Sequence, residues 1–312
     1  MELIINAVLG AGRSAVELVF FTILPVMVIM LTLMRLLEAR GVLDWVTLRV
    51  TPVLRPLGLT GLSSFAALQI NFVSFSAPIS TLAIMEQRGS SDRHLAATLA
   101  MVLAMSQANV SLPMTAMGLE LGFLILFSIV GGLAASAITY HGFGRHLCGE
   151  EHVGSEALQH AVADSAKGVL DVINRAGAEA FRIAVNSIPM LVLSLSAIMV
   201  LRALGAIDLL TEVLAPLLDL LHINPQMILP TLTKYLAGGT AMMGVMGELL
   251  RDNQISSTEL NRSIGFLLNP LDVPGLAILL SAGPRLAAVW KPAVLGALIG
   301  IALRTTAHAL LF

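Results

Sequence analysis

The stretch Asn71-Phe-Val-Ser-Phe-Ser-Ala-Pro78 interrupts a long apolar segment, residues 59–87, with small and polar side chains. As one continuous helix this segment would run about 43 Å, whereas the hydrocarbon core of a bilayer is about 30 Å thick. Folded back at its centre, each arm would be about 20 Å long and would reach the midplane of a membrane. Serine and proline favour a turn at that point. The segment is therefore predicted to form a re-entrant hairpin.

The composition of the whole chain agrees with a membrane location. The chain is 56% hydrophobic and only 12% charged, and its mean hydropathy is +0.87. Several apolar stretches have the roughly 20 residues that a spanning helix needs. The net charge of −2 and the lack of a basic domain argue against nucleic acid as a partner. The single cysteine, Cys148, excludes a disulfide framework and a thiolate metal cluster. We expect one all-α polytopic membrane domain, residues 1–312.

A second segment repeats the hairpin pattern around Tyr235-Leu-Ala-Gly-Gly-Thr-Ala-Met242. Each copy is predicted to contain a full span, an interfacial helix, a re-entrant hairpin, a broken helix and a second full span. In the first copy, residues 14–140, these elements cover 14–37, 42–57, 59–87, 92–117 and 119–140. In the second, residues 185–311, they cover 185–203, 206–221, 223–251, 258–284 and 286–311, after a polar cytoplasmic linker at 141–184. The breaks are assigned to Pro113 in the first copy and to Pro270 and Pro274 in the second.

The two copies carry opposite charge in matching loops. Residues 35–58 hold four basic side chains, whereas residues 199–222 hold only Arg202, beside three acids. Because Lys and Arg in short loops mark the cytoplasmic side, the copies are predicted to be inverted repeats. With re-entrant hairpins and both termini outside, most of the 18 basic residues lie on the inner side. Arg304 is then assigned to the outer side, and Lys234 alone falls within the membrane.

Inverted repeats with interrupted helices are typical of secondary transporters. Non-helical backbone at membrane depth is tolerated only against protein or a water-filled cavity, so both hairpin tips and both broken helices are predicted to meet at one site near the midplane. No catalytic or metal site is expected. The substrate- or ion-binding residues that these four interruptions offer are Gln69, Asn71, Ser74, Ser76, Gln107, Asn109, Ser111, Thr233, Lys234, Tyr235, Thr240, Asn269 and Asp272.

Lys234 and Asp272 are the central pair in this prediction. Lys234 lies too deep in its hairpin for the ammonium group to reach the headgroups easily, and Asp272 at a helix break is its expected partner. Such a pair could fix a substrate, take the place of a coupling cation or carry a proton. The alternative is a structural ion pair that locks the second hairpin onto the broken helix. In the first copy, Ile70 aligns with Lys234 and Asn109 with Asp272.

With these recurring elements the chain resembles bacterial membrane proteins that carry the nucleoside-recognition or Gate domain. That family includes concentrative nucleoside transporters, the membrane part of ferrous-iron transporter B and the spore maturation proteins. The matching stretches are Pro52–Gln87 and Pro216–Leu250. One difference is that the nucleoside transporters have acidic residues at their hairpin tips, and neither tip has one here. The resemblance implies a solute held at Gln69–Ser76, Gln107–Ser111, Tyr235–Thr240 and Asn269–Asp272.

We therefore expect a secondary transporter of a small polar or anionic solute, nucleoside-like by resemblance, in the bacterial cytoplasmic membrane, and not an enzyme. A non-transporting scaffold or accessory subunit of the Gate family and a metal-ion permease stay open as alternatives. No cofactor is expected beyond a coupling ion, sodium or a proton. The expected partners are the lipid bilayer and the small solute, without nucleic acid, and a homo-oligomer is left open.

Overall fold

The computed structural model describes residues 9–149, 168–205, 209 and 224–312, apart from residues 11, 14 and 18. In these residues the regular structure is entirely helical. The helices of the first half are α1 (Leu24–Ala39), α2 (Val42–Leu54), α3 (Gly61–Phe72), α4 (Pro78–Gln87), α5 (Asp92–Ala104), α6 (Ala108–Met114) and α7 (Leu121–Ile138). Those of the second half are α8 (Val169–Ala203), α9 (Ile228–Ala237), α10 (Gly239–Arg251), α11 (Ser257–Leu267), α12 (Val273–Leu280), α13 (Pro284–Ala288) and α14 (Trp290–Leu311).

Both predicted hairpins are formed, since α3 packs against α4 and α9 packs against α10. Thr60 and Ser63 form a capping box that starts α3, and Pro78 lies in the first turn of α4, where its missing N–H costs no helical hydrogen bond. At the second tip, Gly238 alone separates the two arms, with φ 93° and ψ 173°. Only glycine adopts this backbone conformation readily, so the glycine fixes the position of the second turn.

Both predicted broken helices are also present, but the expected cause of the first break is wrong. The chain leaves helical geometry at Met105 and re-enters it at Ala108, whereas Pro113 lies inside α6. The N–H of Ser106 donates to Ser128 Oγ on α7 at 2.7 Å, so a side chain from another helix satisfies the backbone at the break. The second break, residues 268–272, contains Pro270, and Pro274 lies in the first turn of α12.

The boundary predicted at residue 185 does not coincide with a helix end. Helix α8 runs without interruption from Val169 to Ala203, so the end of the predicted polar linker and the first span of the second copy form one helix. The interfacial helix predicted at 42–57 corresponds to α2 and the 3₁₀ turn Arg55–Leu57. Its predicted counterpart at 206–221 lies outside the described residues, apart from residue 209.

The two broken helices run in opposite directions. Asp92, the first residue of α5, forms an ion pair with Arg285, which follows α12. At the other end, Asn261 near the start of α11 donates to the carbonyl of Gly118 at 2.9 Å and accepts from the N–H of Glu120 at 2.8 Å. These contacts place the beginning of each broken helix beside the end of the other.

The open ends of the two hairpins lie at opposite ends of the pair of broken helices. Glu86, in the last turn of α4, accepts a hydrogen bond from the N–H of Leu286 at 2.8 Å, which places the open end of the first hairpin beside α13. Asn224, which precedes α9, donates instead to Glu259 at the start of α11 and lowers the pKa of that carboxyl. The hairpins and the broken helices of the two halves are therefore opposed in direction, and the inversion of the two complete copies stays a prediction.

The broken helices lie at the centre of the described fold. Every side chain from Leu95 to Ala104 on α5 is buried, with α7 and α14 packed against this helix. In contrast, α7 and α14 expose large apolar side chains, such as Leu126 and Leu298, on their outer faces. Among the residues that the structure describes, three segments are long and apolar enough to cross a membrane: Asp92–Met117, Leu121–Phe143 and Trp290–Leu311. The chain is an integral membrane protein.

Candidate functional site

The two hairpin tips and the two helix breaks meet at one junction inside the protein. At the first tip, the N–H of Phe75 donates to Asn109 Oδ1 at 3.1 Å, just beyond the first break. The second tip packs against the same break, because a Cβ added at Gly239 would clash with the side-chain amide of Gln107. Gln107 Nε2 in turn donates to the carbonyl of Asn269 in the second break at 3.1 Å. This junction is the candidate site.

A buried ion pair joins the second tip to the second break. Lys234 is completely buried, and its ammonium group contacts Asp272 Oδ2. The other carboxylate oxygen of Asp272 accepts the N–H of Gly275 at 2.7 Å and thereby caps α12. The negative charge lies at the amino end of one helix, and the positive charge lies in the last turn of α9. Both charges therefore have favourable positions relative to the helix dipoles.

The polar residues near Lys234 differ in their hydrogen-bond partners and in their burial. The centre of the Tyr235 ring is 5.2 Å from Lys234 Nζ, and the Tyr235 hydroxyl donates to the carbonyl of Phe266 at 3.1 Å. Thr233 bonds back to Leu229 within its own helix at 2.8 Å. Thr240, in the first turn of α10, is half-buried beside the tip. Tyr235 and Thr240 are thus partly exposed, whereas Thr233 is buried.

The first tip is held by neutral groups. Asn71 Oδ1 accepts hydrogen bonds from Ser106 at 3.0 Å and from Ser128 at 2.6 Å. Its Nδ2 donates to the carbonyl of Ala67 at 2.9 Å and contacts the Met105 sulfur at 3.2 Å. The buried amide is therefore bonded on both sides and ties the first hairpin to α7 and to the first break.

Several other predicted site residues have side-chain contacts within their own hairpin, helix or break. Gln69 accepts from Thr81 at 2.7 Å, which links the two arms of the first hairpin. The hydroxyls of Ser74 and Ser76 lie 3.1 Å apart, and Ser76 is exposed. Ser111 is buried in α6. Asn269 is fully buried, and its side chain donates to Phe266 at 2.8 Å and accepts from Leu271 at 3.0 Å within the second break.

Arg304 is a residue of the junction that the sequence reasoning missed, because it was assigned to the outer side. That assignment is wrong: the side chain is completely buried on α14. Its guanidinium donates to the carbonyl of Ala104 at the first break, and to that of Leu268 at the second, the latter at 3.1 Å. The available signal was an arginine inside a segment long enough to span the membrane, which is costly unless it is paired or functional.

Comparison with known proteins bears on the family and the fold of the chain. Residues 20–124 match the Gate family model, described as nucleoside recognition. No curated protein sequence matches the chain significantly. Among solved structures, the chain is similar to a CNTnw variant in an outward-facing state, with a TM-score of 0.69 and 18% identity over 100% of this chain and 84% of the other.

Two further structures of the same transporter are also similar to the chain. CNTnw in an inward-facing, substrate-bound state gives a TM-score of 0.65 at 18% identity, covering 99% of this chain and 81% of the other. A variant in an intermediate state gives 0.68 at 19% identity, covering 93% and 76%. The resemblance expected from the sequence is thereby confirmed: residues 20–124 match the nucleoside-recognition Gate family, and the chain has the fold of the concentrative nucleoside transporter structures.

Proposed function

We propose that this chain is a membrane transporter of nucleoside-like solutes, which bind at the junction of the two hairpin tips and the two helix breaks. The observation that carries the proposal is that these four interruptions meet at one junction, where a buried Lys234–Asp272 pair joins the second tip to the second break. Irregular backbone at membrane depth is tolerated where it lines a cavity, and transporter sites lie at such broken helices. The match of residues 20–124 to a nucleoside-recognition family supports the choice of solute.

The ion pair suits a ligand that donates and accepts hydrogen bonds at adjacent positions. An ammonium group only donates hydrogen bonds and a carboxylate only accepts them. A vicinal diol such as that of a ribose can accept from Lys234 and donate to Asp272 at the same time. Hydrogen bonds to charged groups are the stronger ones. Because Lys234 is completely buried, the solute reaches this pair only when the second tip moves away from the second break. We assign the sugar of the solute to this side of the junction.

The first break supplies groups for the rest of the solute. Asn109 Oδ1 is occupied by the N–H of Phe75, whereas its Nδ2 forms no hydrogen bond within the described residues. This amide is therefore free to donate to a polar edge of a base. Tyr235, half-buried beside Lys234, offers an aromatic face for stacking. A nucleoside thus finds partners for both of its parts.

Uptake by the purified protein in liposomes tests the proposal. A panel of radiolabelled ribonucleosides should enter liposomes with the wild-type protein faster than protein-free liposomes. Because hydrogen bonds to charged groups are lost, Lys234→Met and Asp272→Asn should each lower uptake at limiting solute by roughly tenfold or more. Lys291→Met is the matched control, since Lys291 is an exposed lysine on α14, and its uptake should equal that of the wild type. The proposal is wrong if no ribonucleoside enters, or if both site variants transport normally.

A further inference from the structure

The carboxyl-terminal ends of α5 and α11 share one cationic side chain. Arg304 Nη1 donates to the carbonyl of Ala104, the last residue of α5, and Nη2 donates to the carbonyl of Leu268, which follows α11. Helix α7 leaves space for the Arg304 side chain, because a Cβ on Gly131 of α7 would clash with the aliphatic part of Arg304. The guanidinium is therefore enclosed by the fold at a position common to both breaks.

The charge of this group is balanced by backbone dipoles. Within the described residues Arg304 forms no ion pair with a carboxylate, and both of its hydrogen bonds go to main-chain oxygens. A helix carboxyl terminus carries about half a negative charge, so the two ends together match about one positive charge. In transporters with broken helices, such ends coordinate the coupling cation. Here a cation that belongs to the chain already contacts both of them.

We infer that Arg304 is a resident cation that replaces a bound coupling cation at the two half-helix ends, so that solute binding and uptake by this chain do not depend on sodium. The inference rests on the proposed function and adds to it the ion requirement. Arginine suits the role because its planar fork presents separate N–H groups to two carbonyls at once, which a single ammonium group does not hold in a fixed geometry.

Replacement of sodium by choline at constant ionic strength tests the first consequence. The thermal unfolding midpoint of the wild-type protein in detergent should be the same in both salts, and so should the initial rate of ribonucleoside uptake into liposomes. A sodium-dependent rise in the midpoint or in the uptake rate overturns the inference. Because the unfolding measurement needs no transport, absence of all uptake would count against the proposed function alone.

Arg304→Ala tests the role of the side chain itself. Removing the guanidinium leaves two buried carbonyl ends without a cation, and we expect a fall in the midpoint of roughly 5 °C or more. Guanidinium chloride, far below denaturing concentrations, should reverse part of that fall by occupying the vacated space. Arg262→Ala, an exposed position on α11, is the matched control and should show neither the fall nor the recovery. Equal responses of the two variants to guanidinium contradict the inference.

A conservative variant keeps the test informative if Arg304→Ala does not fold. Arg304→Lys retains the charge but loses the fork that spans the two carbonyls. The thermal unfolding midpoint of Arg304→Lys should lie between those of the wild type and Arg304→Ala, and it should stay insensitive to sodium. An Arg304→Lys protein as stable as the wild type would show that the joint contact with both ends is unimportant, and would overturn the assignment.

Discussion

The two hairpin tips are anchored to the breaks by different chemistry. Asn71 ties the first tip to Ser106 and Ser128 through neutral hydrogen bonds, whereas Lys234 ties the second to Asp272 through a buried ion pair. Ile70, the sequence counterpart of Lys234, is an equally buried core residue. The first tip shows that this fold can hold a hairpin against a break without charges. Because desolvation of two charges costs several kcal/mol, stability alone gives little reason for the second arrangement, which favours a role in solute binding.

The largest expected effect comes from breaking the ion pair on one side. Lys234→Met should destabilise the protein by roughly 3–5 kcal/mol, because it leaves the Asp272 carboxylate buried without its partner. The double variant Lys234→Met/Asp272→Asn should recover most of this loss, since asparagine is neutral and still caps α12. Thermal and chemical unfolding in detergent measure both. A double variant less stable than Lys234→Met would contradict the pairing.

Substitutions at the first tip should destabilise the protein less than Lys234→Met does. Asn71→Leu removes the acceptor of two serine hydroxyls and should cost up to about 3 kcal/mol, through the buried groups left unsatisfied. Ser128→Ala, which removes one donor, should cost less than Asn71→Leu. If Asn71→Leu destabilised the protein more than Lys234→Met, the ranking of the two tips would be reversed.

The turn of the second hairpin requires a backbone conformation that only glycine adopts readily. The turn of the first hairpin has no such requirement. Gly238→Ala should cost about 2 kcal/mol, because a Cβ is strained at φ 93° and ψ 173°. Ala77→Gly at the first tip, where the backbone is right-handed helical, is the comparison and should change stability by less than about 1 kcal/mol. The same unfolding assay ranks the two, and equal costs would argue against the glycine-determined turn.

The smallest effect is expected within the first hairpin. Thr81→Val keeps the shape of the side chain but removes the 2.7 Å hydrogen bond to Gln69 between the two arms. The expected cost is about 1 kcal/mol, typical of one hydrogen bond. Uptake should be unchanged, because this contact joins the two arms of the first hairpin and involves neither member of the ion pair. A strong loss of uptake in Thr81→Val would instead place Gln69 in the solute site.

The sequence predicted the hairpins and the broken helices because their lengths and interruptions are local properties. Segment 59–87 is too long for one span, and Gly238 marks a turn by its own conformational freedom. The sequence predicts Lys234 as a buried charge with Asp272 as its partner, and the structure contains this ion pair. These features need no knowledge of distant contacts.

The remaining features depend on contacts between residues far apart in the chain. The first break contains neither glycine nor proline, and it is stabilised by Ser128, 22 positions from Ser106. Arg304 lies 200 positions from Ala104, whose carbonyl it contacts. Position along a hydrophobic segment could not distinguish a buried arginine from one near the membrane surface. Hydrogen bonds between distant residues determine both the position of the first break and the burial of Arg304.

Protection of an introduced cysteine by solute tests the location of the site most directly. In a Cys148→Ser background, Thr240→Cys places a thiol beside the second tip, and Ser281→Cys places one on an exposed residue after α12. Saturating ribonucleoside should slow alkylation of the first thiol and leave that of the second unchanged. If the protein binds the ribonucleoside while the thiol at position 240 reacts at the same rate, the solute binds elsewhere and the proposed site is wrong.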